Sequence, residues 1–343
     1  MQARRRNMSN SIIRIRNYVK EKDIKTITLD IFDTVLMRKI HPEDEQFYIV
    51  AEKWLDIFHE SINADITAEK IYYWRVYIRN ELFNVNNKYV LDNTALLNRD
   101  YYDVTLKSWF ENLVTTMAAQ YNVVLSERKV SQIVEKMIEI ELDTEAENLY
   151  PNKELVACIN EIKTSRPDIK VYFVSDMYLT TEQVEGILAA HNVGCFDGGI
   201  TSTDARCVKH DASIFYRLTH FEPFGKSFDI ITNLHIGDSR TSDYLMPIKA
   251  GSRAIWLKEN AKRVQRENRI GEKAINKLKK CCTKKELVSL KQELRVKDKN
   301  ENDIWIRYGE LFSQPLIIAI LTKAVTLYSG CIMMAGDDND AAQ

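Results

Sequence analysis

The sequence predicts an α/β fold, a parallel, doubly wound sheet with an all-helical insertion after its first strand. Three observations carry that prediction. Short apolar runs rich in β-branched residues recur in the first half of 25–36 and at 170–174, 233–236 and 253–257, as buried strands do. From residue 150 onward such runs alternate with amphipathic helical segments, the rhythm of β-α-β units. Between 41 and 150 that rhythm gives way to helical periodicity alone. Ligands of a parallel α/β sheet bind at the carboxyl ends of its strands, so the polar residues closing these runs are the candidate site.

Length and composition narrow the class. A chain of 343 residues can bury a large core and is expected to split into two or three units. A formal net charge of -1 gives no reason to expect a nucleic-acid surface. Six cysteines (Cys158, Cys195, Cys207, Cys281, Cys282 and Cys331) show no C-x-x-C spacing. They read as reduced thiols of a cytoplasmic protein, not disulfides or a zinc site. The basic run Arg4-Arg5-Arg6 is followed by no apolar signal region, so residues 1–20 read as a lead-in helix. Ile12, Ile13, Ile15 and Val19 would face one side of it.

The elements follow in order. The first strand, in the first half of 25–36, runs into Asp30, Asp33 and Thr34. A carboxylate there is a nucleophile, a metal ligand or the cap of the next helix. In the insertion, four apolar stripes recur at helical spacing: Phe47, Val50, Trp54, Phe58; Ile71, Trp74, Ile78, Leu82; Tyr102, Leu106, Trp109, Leu113, Met117; and Val130, Ile133, Met137, Ile140. Ser126 reads as the N-cap of the last, and 84–98 as a polar loop. After Pro151, a helix is expected over 154–163 and a strand over 170–174 that ends in Ser175-Asp176. Thr180 and Gln183 fit a capping box. A weaker strand follows at 198–202, and Lys209 opens a helix whose core face is Ile214, Phe215 and Leu218. The strand 233–236 ends in Gly237-Asp238-Ser239, with Asp243 beyond, and one more step reaches 253–257.

The C-terminal part adds little chemistry. Residues 258–300 are densely charged and read as exposed helix with loop. The apolar run 316–335 has the length of a membrane span, but Lys323 lies inside it, so no span is expected.

Four places therefore carry polar residues in a fixed order on alternating β/α units. They are Asp30 and Asp33, then Ser175, then Lys209, then Asp238 and Asp243. This set resembles the four motifs of the haloacid dehalogenase-like (HAD) superfamily, over about 24–257. Asp30-Ile31-Phe32-Asp33-Thr34 and Val174-Ser175-Asp176-Met177-Tyr178-Leu179 further resemble a bacterial subgroup of predicted hydrolases associated with glycosyltransferases of surface-polysaccharide synthesis. The resemblance implies a Rossmann-like core over 21–40 and 151–258, with an α-helical C1-type cap inserted over 41–150. Residues 259–343 are then a charged helical region and C-terminal extension.

The resemblance also implies chemistry. Asp30 would attack phosphorus, giving an aspartyl-phosphate that water hydrolyses. Mg²⁺ held by Asp30, Asp238 and the Phe32 carbonyl would screen the two anions. Thr34, Ser175 and Lys209 would bind the phosphate, Lys209 as a point charge, and Asp243 would orient Lys209 or a metal-bound water from behind. The substrate expected is a small phosphorylated metabolite. One departure stands out. The superfamily's phosphatases place their general acid two residues after the nucleophile, and here that position is Phe32. Asp33, three residues on, is the nearest carboxylate, either brought round to act as the acid or bonding nearby backbone as a turn residue. Phe32 is also reminiscent of the dehalogenase branch. Two alternatives therefore remain: a catalytically degenerate binding module accompanying glycosyltransferases, and a 2-haloacid dehalogenase. A response-regulator receiver is disfavoured, because its acidic pair precedes the phosphorylated strand and it has no helical insertion.

Overall fold

The computed structural model describes residues 10–42, 44–91 and 104–281. The chain divides into two units, Met1–Val264 and Gln265–Gln343; the first holds the sheet, the insertion and the candidate site, and the last helix runs into the second. Arg4-Arg5-Arg6, Tyr102, part of the 84–98 segment and the apolar run 316–335 lie outside the described residues.

Five strands form one parallel sheet: β1 (Thr26–Leu29), β4 (Lys170–Ser175), β5 (Gly199–Thr201), β6 (Asn233–Gly237) and β7 (Arg253–Trp256). Their order is β5-β4-β1-β6-β7. The chain fills β1, β4 and β5 outward in one direction, then returns to lay down β6 and β7 on the other side of β1. The order reverses at β1, and in open α/β sheets the carboxyl ends beside such a reversal are where ligands bind. Register is set by Leu29 opposite both Phe173 and Ile236, so β1, β4 and β6 end level.

The sheet is buried on both faces, as parallel sheets are. Ile27, Leu29, Val171, Phe173, Leu234 and Ile236 join the larger core. Tyr172, Val174 and Ile200 pack on the other face with Ile214, Phe215 and Leu218. On the central strands that second face is polar: Thr28, Asn233 and His235 are fully buried there.

Several expectations take a more definite form. The lead-in helix α1 (Asn10–Glu21) buries Ile12, Ile15 and Val19, but Ile13 is exposed because it falls off the 3.6-residue stripe. The first helical stripe is split into α2 (Asp44–Lys53) and α3 (Leu55–Ser61). The 84–98 loop is shorter than expected, since α4 (Ala68–Leu91) continues through its first half. α5 (Leu106–Gln120) and α6 (Glu127–Asn148) complete the insertion, and Ser126 Oγ accepts the Lys129 N–H at 3.3 Å as the expected cap. A feature not read from sequence is a two-stranded antiparallel ribbon of β2 (Leu36–Arg38) and β3 (Leu149–Pro151), which joins the two ends of the insertion. After α7 (Lys153–Ser165), the capping box of Thr180 and Gln183 opens α8 (Thr181–Ala190). A four-residue turn, α9 (Ser202–Ala205), precedes Lys209, and the next helix, α10 (Ser213–Arg217), begins four residues after it. Lys209 is therefore a loop residue. α11 (Met246–Lys249) leads to β7, and α12 (Lys258–Cys281) follows. Cys158, Cys195 and Cys207 are free and buried. No helix of the described residues is long and apolar enough to cross a membrane.

The insertion is centred on a buried charge. Arg75, fully buried, lies over the rings of Phe47, Trp54 and Trp109 at 4.3, 4.9 and 4.8 Å. Its Nη2 donates to Glu141 Oε1 at 2.6 Å, and Tyr178 Oη donates to the same oxygen at 3.1 Å. Tyr178 lies just beyond β4, so this pair ties the insertion to the carboxyl end of the sheet. Removing one partner strands the other charge in an apolar cage. Glu141→Leu is expected to cost about 3–5 kcal/mol, and adding Arg75→Met to recover most of that loss, as measured by urea unfolding.

Candidate active site

Asp30 directly follows β1, and its N–H donates to Ile236 O at 2.9 Å. This bond carries the β1–β6 pairing one residue further and holds the carboxylate at the sheet end. The chain then turns tightly. The N–H groups of Thr34, Val35 and Leu36 all converge on Ile31 O at 3.3, 2.9 and 2.9 Å, and Asp33 N–H closes back on Leu36 O at 2.6 Å. Asp33 sits at φ 56°, a left-handed conformation that Asp tolerates better than most residues.

Lys209 is placed by its own backbone. Its N–H donates to both carboxylate oxygens of Asp176, at 2.8 and 3.0 Å. Its Nζ donates to Asp30 Oδ1 and to Asp243 Oδ1, each at 2.6 Å. Asp243 lies in a π-helical turn (Arg240–Leu245) after β6. Its Oδ2 accepts the Ser239 N–H at 2.9 Å, and its Oδ1 also accepts from His235 Nε2 at 3.2 Å. Gly237 is what lets Asp243 come so close: a Cβ there would lie 2.3 Å from Asp243 Cγ. Asp238 stands beside this group. Thr34 Oγ1 donates to its Oδ1 at 3.5 Å, and Trp256 Nε1 holds its backbone carbonyl at 2.7 Å.

Burial dominates the electrostatics. It pushes the Asp30 carboxyl up to about 7 against the opposing pull of Lys209. It pushes Asp238 up to about 8, with the charges of Asp30 and Asp243 adding to the effect, and it raises Asp176 as well. Burial also works against the Lys209 charge, but Asp243, Asp30 and Asp176 outweigh it and hold the ammonium above its ordinary range. Asp243 is the converse case. Burial would raise it, yet Lys209 and His235 together hold it well below the usual carboxylate range.

Asp30, Asp238 and Asp243 each offer an oxygen within 4.8 Å of the others. Asp243 spends both oxygens on three donors. Asp30 Oδ2 and Asp238 Oδ2 have no hydrogen-bond partner among the described residues. One buried and one half-buried carboxylate, both pushed toward neutrality and both keeping an open oxygen, suit a hard divalent cation, which takes oxygen ligands.

The sequence candidates are thus brought together unequally. Asp30, Lys209 and Asp243 form one bonded group, with Asp238 and Thr34 alongside. Ser175 ends β4, next to β1; its Oγ is buried and has no hydrogen-bond partner among the described residues. Asp33 is turned away. Its Oδ2 accepts from Arg38 Nη1 at 3.0 Å and its Oδ1 from Arg38 N–H at 3.2 Å, with Arg263 Nη2 3.7 Å from Oδ1. The Arg38 guanidinium also covers the Phe32 ring at 4.8 Å. Two participants carried no assigned role in the sequence reading, Asp176 and His235. Asp176 had a signal, as a carboxylate at a strand's carboxyl end. His235, inside an apolar strand, had none beyond its polarity.

No protein-family model matches the chain, and no curated protein matches its sequence. Solved structures do. A structure assigned as the HAD-hydrolase YfnB of Bacillus subtilis, bound to magnesium, aligns with TM-score 0.40 and 16% identity over 68% of this chain and 89% of its own. The L-2-haloacid dehalogenase PA0810 aligns with TM-score 0.40 and 11% identity, over 68% and 83%. A HAD phosphatase from Thermococcus onnurineus gives 0.38 and 14%, over 69% and 87%.

Two outcomes follow from this geometry. Gly237→Ala forces Asp243 aside, so it should lower stability by about 1–3 kcal/mol and loosen Lys209, read by thermal unfolding and by loss of any activity. The second concerns pH. Asp30 and Asp238 titrate in the fold near 7 and 8, above their ordinary 3.8. Without a cation their stabilising contribution is complete at low pH and is lost as pH rises through those values. A divalent cation pairs with the ionised forms, so its stabilisation should grow from pH 6 to about pH 9. A thermal-shift series with and without Mg²⁺ measures it, and a pH-independent shift would place the cation elsewhere.

Proposed function

We propose that the chain is a Mg²⁺-dependent phosphohydrolase of the HAD type, acting on a small phosphorylated metabolite. The observation that carries this reading is the Lys209 ammonium shared at 2.6 Å by Asp30 and Asp243, with Asp238 beside it at the crevice of the sheet. Phosphoryl transfer depends on positioning and charge stabilisation, and this arrangement offers both. Asp30 attacks phosphorus to form an aspartyl-phosphate, which water then hydrolyses. Lys209 neutralises charge on the nucleophile and the phosphate, and Ser175 Oγ donates to a phosphate oxygen, with Thr34 as a further contact. Asp243 aims Lys209. Asp30, Asp238 and the Phe32 carbonyl would hold Mg²⁺, whose chemistry is to screen the two anions and polarise the phosphate.

Asp33 takes a different role from the one its sequence position invites. A carboxylate in an ion pair with Arg38 has strong partners to lose before it can deliver a proton. In this reading Asp33 fixes the loop, and the leaving group takes its proton from water. Missing general acid help costs about 10²–10⁴-fold, so activated esters should be the better substrates. The helical insertion, 41–150, acts as a C1-type cap over the core of 21–40 and 151–258, excluding water and setting specificity. Residues 1–20 are the lead-in and 259–343 the charged C-terminal extension. An association with glycosyltransferase machinery rests on the subgroup resemblance.

The pairing of Asp33 and the presence of Phe32 favour one second reading, a degenerate module that binds phosphate without turning it over. A panel of phosphoesters with Mg²⁺ separates the two. Turnover abolished by Asp30→Asn and retained in Asp33→Asn is the result expected. Cation binding at Asp238 without turnover of any ester would select the binding module, and halide release from 2-haloacids would select the dehalogenase branch instead.

A further inference from the structure

The buried face of β1 and β6 carries a hydrogen-bonded chain that leads away from Lys209. Asp243 Oδ1 meets His235 Nε2 at 3.2 Å, and His235 Nδ1 meets Thr28 Oγ1 at 2.9 Å. Thr28 Oγ1 then meets Asn233 Nδ2 at 2.9 Å, and Asn233 Nδ2 meets Ser252 Oγ at 2.9 Å. Ser252 Oγ reaches the carbonyls of Asn233 and Arg253 at 3.1 and 2.9 Å. Thr28, Asn233 and His235 are fully buried, and the Phe215 ring closes one side of the imidazole at 4.9 Å between centroids.

The chain has one consistent direction. A carbonyl oxygen only accepts, so Ser252 spends its single hydroxyl proton there and its oxygen accepts from Asn233. Asn233 therefore presents its NH₂ to Thr28 as well. Thr28, already accepting, keeps its own proton for His235 Nδ1. The ring proton must then sit on Nε2, facing Asp243. The carboxylate at the other end requires the same answer, because it needs a donor from His235. A second ring proton is opposed chiefly by burial, which outweighs the pull of the Asp243 carboxylate, and the Lys209 ammonium opposes it further.

We infer that His235 is a positioning residue: locked as the neutral Nε2–H tautomer by Thr28, it fixes the Asp243 carboxylate that aims Lys209 at Asp30. Asp243 Oδ1 thereby has two donors, from Lys209 and His235, and Oδ2 a third from Ser239. The carboxylate can neither rotate nor drift toward the cation site, so Lys209 keeps a fixed bearing. Outer hydrogen bonds of this kind orient a working group without touching the substrate. The catalytic consequence rests on the phosphohydrolase reading, but the tautomer does not.

The test pairs NMR with kinetics. Long-range ¹H–¹⁵N correlation on the labelled full chain, with the signal assigned by its loss in His235→Gln, is expected to show a neutral, Nε2-protonated ring from about pH 6 to about pH 8.5. Thr28→Val, near-isosteric but without the hydroxyl, should weaken that preference. It should lower kcat by about 10–100-fold while KM changes less than about threefold. Thr28→Ser, which restores the hydroxyl, should recover kcat. A doubly protonated or Nδ1-protonated His235 overturns the inference, as does a folded Thr28→Val with unchanged kcat. If the parent turns over no phosphoester, the functional reading falls and the NMR result alone decides this one.

Discussion

One buried ammonium holds the site together. Lys209 is enclosed by Asp30, Asp243 and Asp176, and each of these carboxylates is placed by a different β/α unit. Desolvating a lysine is costly, and only close, well-bonded carboxylates offset it. The ends of β1, β4 and β6 must therefore arrive level and adjacent, which the register of Leu29 with Phe173 and Ile236 accomplishes. The order reversal around β1 then leaves the space above them open to a ligand.

The carboxylates in that group are not equivalent, and the differences follow from their donors. Asp243 has three donors and stays ionised, which suits a group that orients a cation. Asp30 and Asp238 have few donors and are pushed toward neutrality by burial. Such groups gain most from an added positive charge. Gly237 belongs to the same logic, since its missing side chain is the space that Asp243 occupies.

A second buried cation organises the insertion. Arg75 gathers Phe47, Trp54 and Trp109 around itself and shares Glu141 with Tyr178. Tyr178 follows Ser175 by three residues, so the helices are fastened to the loop that borders the site. The β2–β3 ribbon ties the two ends of the insertion together from another side.

What was legible in the sequence was whatever depends on local pattern. Strand runs, helical stripes, the Ser126 cap and the Thr180–Gln183 box are consequences of spacing, and they appear where spacing puts them. Asp30, Lys209, Asp238 and Asp243 were singled out by their order along alternating β/α units, and the fold brings these four side chains together. Three things were decided only by the tertiary structure. Asp33 was drawn into an ion pair with Arg38 because β2 folds back beside its loop, a contact that depends on pairing with β3 more than a hundred residues away. Arg75 and Glu141 belong to none of the apolar stripes and carried no reading in the sequence; they became a core pair when those helices packed. His235 is an odd polar residue in an apolar strand until β1 lies beside it and supplies Thr28. Periodicity reports which face a residue occupies, but hydrogen-bond direction and charge pairing depend on which distant strand or helix arrives opposite.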